Sequence, residues 1–277
     1  MRIEVAIALA MLPALLSAQE RVRVKGRIVN EKGEAVEYVQ VGVPKLQIGT
    51  ISTVDGRFEV DIPCDTLEFF HVSYQPAAYP VTGPVDDAII VLHEQELPPA
   101  VFIGGDTKEK YLLKPGTTVL KNMGIISTSL RSEHPSGREI GSVARTKKPF
   151  LVKDILLSVR SNHIPGCVAS VNIYRIEGKN ESFVNILHKP VYFDVPVSND
   201  PQDFDIQPEE TLLLEPGRYF IAFQIVGCNS EALQEFREMS MNFNIYLKSS
   251  YIREVALGEM EHLPVNIGVA VKGLEYQ

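Results

Sequence analysis

His93-Glu94-Gln95-Glu96 places an imidazole and a carboxylate three residues apart, a spacing that zinc peptidases use for two ligands. Zinc hydrolysis also needs a third ligand and an open coordination position, and no catalytic domain able to hold that ligand follows the pair. On a strand, residues three apart point to opposite faces, so His93 and Glu96 could not reach one ion there. The other histidines (His71, His134, His163, His188 and His262) are scattered singly. His71, between Phe70 and Val72, reads as a hydrogen-bonded core or edge residue rather than a ligand. The chain has no Gly-x-Ser-x-Gly elbow and no Gly-x-x-x-x-Gly-Lys phosphate loop, and no cysteine in a catalytic context. Asp86-Asp87 and Glu209-Glu210 read as solvated loop acids, and Arg145, Lys147 and Lys148 as a solvated strand edge. The expectation is a non-enzymatic protein with no catalytic residue, cofactor or metal.

The elements that would position any site are short strands. VRVKGRIV (22–29) alternates apolar with basic residues, and YVQVGV (38–43), residues 49–52 and RFEVDI (57–62) follow, with Asp55-Gly56 as a hairpin turn. LEFFHV (67–72), a piece near 79–81 and AIIVL (88–92) complete a pattern that predicts an antiparallel sandwich. Leu97-Pro98-Pro99 and Gly104-Gly105 break the pattern and place a domain boundary there. Beyond it, strands are expected at 150–159, 167–176, 190–195, 218–226, 241–247 and 265–271. The helical stretch is Ser230–Met239, with Leu233, Phe236 and Met239 facing inward. In Cys167–Ile176, Ala169, Val171 and Ile173 share one face while Ser170, Asn172 and Tyr174 take the other. The fold class is therefore all-β, with two β-sandwich domains: a small transthyretin/Ig-like one over 21–104 and a larger jelly-roll-like one over 106–277.

VKGRIVNEKGEAVEYVQVGV, GTISTVDGRFEVDIP and LEFFHVSYQP resemble the carboxypeptidase-regulatory-like domain, a transthyretin-like sandwich common in exported proteins of the Bacteroidetes type. The matching positions include Gly26, Gly33, Thr53, Asp55, Gly56, Phe58 and Val60, while Ser73-Tyr74 stands where the family usually has Gly-Tyr. The resemblance implies a non-catalytic module that supports or docks a neighbour. It makes Gly26, Gly33, Asp55, Gly56, Phe58 and Tyr74 structural residues.

Residues 1–18 read as a signal peptide: a short basic start, an uncharged run from Val5 to Leu16, then Ser17-Ala18. No later apolar stretch approaches the length of a spanning helix. An exported protein of the periplasm or cell surface, without a membrane span, is expected. The 277 residues are 45% apolar and 22% charged, which excludes disorder, and the net charge of −8 disfavours nucleic acid. Of the three cysteines, Cys167 and Cys228 are candidates for a disulfide, with two buried free thiols as the alternative. That bridge rests on a register with Cys167 opposite Cys228, Ala169 opposite Val226 and Ile173 opposite Ala222. The expected partner is an envelope protein or glycan, engaged by sandwich loops and edges within 106–277. An accessory lectin-like protein is the alternative, and a hydrolase with an unrecognised site is the third reading.

Overall fold

The computed structural model describes residues 21–96, 104–115, 137–229, 238–241, 243–244, 250–263 and 266–277. The segment expected to be a leader, 1–18, the Pro98-Pro99 break and most of the helix expected at 230–239 lie outside the described residues. Met239, placed in that helix by its spacing, is instead in a strand, with Asn162 as its partner.

The first seven strands are β1 (Arg21–Asn30), β2 (Gln40–Val43), β3 (Ile48–Ile51), β4 (Arg57–Pro63), β5 (Thr66–Phe70), β6 (Ala77–Pro80) and β7 (Val85–Leu92). They form a three-stranded sheet β4-β1-β7 and a four-stranded sheet β3-β2-β5-β6. Alternate residues of both sheets meet in a core that includes Val24, Ile28, Val41, Phe58, Leu67, Phe69 and Ile90. Phe58 and Phe69 join the layers edge to face, with ring centres 5.5 Å apart.

One feature departs from the antiparallel expectation. β1 is antiparallel to β4, with Val24 opposite Val60, but parallel to β7, with Ile28 opposite Ile90. A parallel pair requires a long crossover, and here the strands of the other sheet supply it.

The remaining strands are β8 (Thr107–Leu113), β9 (Glu139–Thr146), β10 (Phe150–Asn162), β11 (Cys167–Glu177), β12 (Ser182–Asn185), β13 (Tyr192–Val195), β14 (Gln202–Ile206) and β15 (Leu213–Leu214). They continue with β16 (Gly217–Gly227), β17 (Met239–Met241), β18 (Phe243–Asn244), β19 (Ser250–Arg253), β20 (Glu261–Leu263), β21 (Asn266–Ile267) and β22 (Val269–Tyr276). One sheet runs β14-β10-β22-β8, with β15 and β17 also on β10. A second runs β12-β11-β16-β9-β19-β20, with β13 also on β11, and β18 pairs with β21. Their shared core includes Phe150, Leu157, Ala169, Val171, Ile173, Ile221, Phe223 and Val271. Among the described residues the chain is all-β apart from a 3₁₀ turn at Pro44–Leu46.

The β11–β16 register differs from the expected one. Val168 lies opposite Gly227, but an irregularity follows, and Ala169 then faces Ile225 and Ile173 faces Ile221. A one-residue shift exchanges the two faces of a strand. The bulkier set Ile221, Phe223 and Ile225 thereby enters the core, and Phe220, Ala222, Gln224 and Val226 turn to the other side.

Candidate functional site

The polar side of β11 is not a solvent face. Ser170, Asn172 and Tyr174, together with Gln224 of β16 and Glu139 of β9, are all buried, as is Gln40 of β2. The small sandwich and the 254–259 loop pack against this side of the sheet. Tyr38 meets Tyr192 edge to face at 5.0 Å, and Ile51 packs with Val226 and Ala256. Gly42 and Gly49 admit the Ala256 backbone so closely that a Cβ at Gly49 would collide with its carbonyl. The Leu257 and Glu259 amides donate to Gln40 Oε1 (3.4 Å) and Gln47 Oε1 (2.9 Å).

Within this seam the Glu139 carboxylate is completely buried. It accepts from Asn172 Nδ2 at 2.8 Å and from the Tyr174 hydroxyl at 3.0 Å, and Arg253 Nε lies 3.6 Å away. Asn172 is held in turn by Gln224 and Asn185. Burial pushes the Glu139 carboxyl above its usual range, opposed by Arg253 and by the two hydrogen bonds. Burial, and then the neighbouring Glu139, raises the Tyr174 phenol.

His71 follows β5 into the same seam. The Ser73 amide donates to its Nδ1 at 3.2 Å, and its Nε2 lies 3.2 Å from the Tyr192 hydroxyl. Burial drops its pKa from 6.5 to about 4. Ser73 Oγ donates to the His188 carbonyl (3.0 Å), adding a further bond between the two sandwiches. Glu210, expected to be a solvated acid, is instead half-buried and accepts from the His188 and Lys189 amides at 2.9 and 3.0 Å.

The residues singled out from sequence occupy separate places. Gly26 lies where a Cβ would strike the Ala88 carbonyl and the Phe58 ring. Gly33 and Gly56 have φ of 79° and 76°, in turns that favour glycine. Asp55 is bonded to Thr53 and ion-paired with Arg57, which together hold its carboxyl below the usual range. Tyr74 packs on His71 at 5.3 Å. β7 ends at Leu92, so His93 lies beyond the strand, exposed, with its Nδ1 2.8 Å from Glu31 rather than against Glu96. Cys64, Cys167 and Cys228 are all free thiols, so the structure holds no Cys167–Cys228 bridge. Among the described residues no group of three or more His, Cys, Asp or Glu side chains is arranged to hold a metal.

A cleft of about 1480 Å³ lies between the outer face of β4-β1-β7 and the ends of β11 and β16. Its floor carries both signs of charge: Arg57, Glu59 and Asp61 on β4, Arg23, Lys25 and Arg27 on β1, and Asp86 and Asp87 on β7. Lys25 and Arg23 pair with Glu59 (3.1 Å) and Asp61 (3.2 Å) respectively. Val54 and Ile89, 62% and 72% exposed, add apolar area beside these charges. Gly166, Val168, Cys228 and Asn229 form the opposite wall. The sequence drew attention to the loops of the second half, whereas most of this cleft belongs to the first. The alternation of β1 carried that signal, because its basic residues had to face something other than core.

The chain is thus an all-β sandwich protein with a sealed polar seam and an open charged cleft. No protein-family model matches it, and no curated protein matches it. Among solved structures it is similar to a DUF3823 family protein from Parabacteroides merdae, at 10% identity, 90% coverage of this chain and 98% of that one. The TM-score of 0.23 leaves that likeness without weight for fold or role. No helix among the described residues is long and apolar enough to cross a membrane.

Proposed function

We propose that this chain is a non-catalytic binding protein of the cell envelope, exported by its 1–18 leader, that engages a protein partner through the charged cleft. On this reading residues 21–104 are a carboxypeptidase-regulatory-like domain docked on a second sandwich, 106–277. The observation that carries it is a separation of two kinds of group. His71, Glu139, Tyr174 and Tyr192, whose ionisation burial opposes most strongly along with that of the core thiol Cys167, are sunk in the seam. The open cleft is instead floored by charged strand residues, several of them ion-paired, and burial only holds its Cys228 and Tyr38 further from ionising. Catalytic groups need both a shifted pKa and access to substrate. The lectin-like alternative is less well supported, because Tyr111 alone is aromatic among the exposed large apolar side chains described. The test is crosslinking and mass spectrometry in the native envelope, comparing wild type with Asp87→Lys/Ile89→Arg and with Val197→Arg outside the cleft. Loss of one crosslinked protein in the cleft variant alone is expected. Equal retention in all three, or hydrolysis of a peptide or glycoside substrate by the wild type, would overturn the reading.

A further inference from the structure

The proton inventory around His71 points to a ligand inside the seam. Its Nδ1 accepts from the Ser73 amide, so that nitrogen carries no proton and the neutral ring must be protonated at Nε2. Nε2–H therefore donates to the Tyr192 oxygen, and the Tyr192 O–H is left to find an acceptor of its own. Among the described residues the one hydrogen bond recorded for that hydroxyl is the bond to His71. Tyr192 is half-buried, and burial raises its phenol, so a hydroxyl there without an acceptor is costly.

Strand register places further polar groups beside it. Ser170 of β11 lies directly opposite Tyr192 of β13 on one side and Gln224 of β16 on the other, so the three share one face. Gln40, His71, Ser170, Asn172, Tyr192 and Gln224 supply the polar part of the lining of a pocket of about 20 Å³, completed by apolar side chains such as Val72, Val191 and Val226. That size suits one water, and a water requires two to four polar partners.

We infer that this cavity is a binding site for a single buried water, which accepts from the Tyr192 hydroxyl and bridges the small sandwich to the large one. The inference stands apart from the open cleft and does not depend on what binds there. Two experiments test it on the full chain. A high-resolution crystal structure should show one ordered water within hydrogen-bonding distance of Tyr192 Oη and of at least one of Ser170, Gln40 or Gln224. A dry cavity overturns the proposal. Ser170→Thr keeps the hydroxyl and adds one methyl to the cavity. If the methyl displaces a bound water, the melting temperature falls; if it fills dry space, the melting temperature holds or rises, and the proposal fails.

Discussion

Acid should weaken this fold through His71 in particular. In the native state the ring is neutral: the Ser73 amide needs its Nδ1 lone pair, and Tyr192, Tyr74 and Ser73 surround it without a carboxylate bonded to it. Its folded pKa of about 4 lies below the 6.5 of a free imidazole. The unfolded chain therefore binds a proton that the folded chain refuses, throughout the window between those values. Stability is full above 6.5 and declines as the pH falls toward 4. The whole difference corresponds to about 3 kcal/mol, and most of it is lost by about pH 4.5. Urea midpoints would be measured near neutrality and near pH 4.5 for wild type and for His71→Gln, whose amide does not titrate. Subtracting the two pH responses cancels the other titrating groups, and the wild type should lose about 2–3 kcal/mol more than the variant. Identical pH responses, or an NMR titration placing the His71 ring near its free value, would refute the argument.

Glu139→Leu should destabilise by about 3–5 kcal/mol in chemical denaturation, because it strands the buried Arg253 charge. Glu139→Gln also leaves Arg253 without a countercharge but keeps an acceptor for Asn172 and Tyr174, which Leu removes, so it should cost less than Glu139→Leu. Gly49→Val, forced against the Ala256 carbonyl, should lower stability by about 1–3 kcal/mol, read as a drop in melting temperature, whereas Gly83→Val, with open space around it, should not. Thiol titration of unfolded, unreduced protein should find three reactive cysteines; a single one would establish a bridge. Proteolytic nicking between residues 97 and 105 should give two fragments that still co-elute under native conditions, since Gln40, Gln47, Ser73 and Tyr38 hold the sandwiches together. Separate elution would show that the seam is too weak to do so.

Strands whose polar side meets water were legible. β1 and β4 alternate in sequence as they do in the fold, and Asp55-Gly56 marks its turn. β9 escaped notice because both of its faces are buried and one is polar. EIGSVART mixes Glu139, which enters the seam, with Gly141, where a Cβ would strike the Ile221 carbonyl. Period-two reasoning equates polar with exposed and fails wherever a second layer covers the polar residues. The split of β11 into an Ala169, Val171, Ile173 face and a Ser170, Asn172, Tyr174 face was legible, but nothing in the sequence showed that the polar face is covered, and this hid the Glu139 network. The β11–β16 register was misjudged because a bulge leaves no mark in sequence when both alternatives are apolar. Tandem acids were also ambiguous: Asp86 and Asp87 belong to a strand, and Glu210 binds backbone amides.

β1 lies in the middle of its sheet, between β4 and β7, and β22 lies in the middle of another, between β10 and β8. A chain delivered from its N-terminus produces β1 first, yet β1 must remain without its full set of neighbours until residue 92 has been made. The larger core stays open for longer, because the gap between β8 and β10 closes only when β22 arrives. Both layers are therefore sealed by segments far apart in order of synthesis, which makes folding slow and late rather than progressive. During that interval the long apolar strands β10, β11 and β16 are exposed together. The protein's vulnerability lies in the time before it is complete, and a holding chaperone would act there.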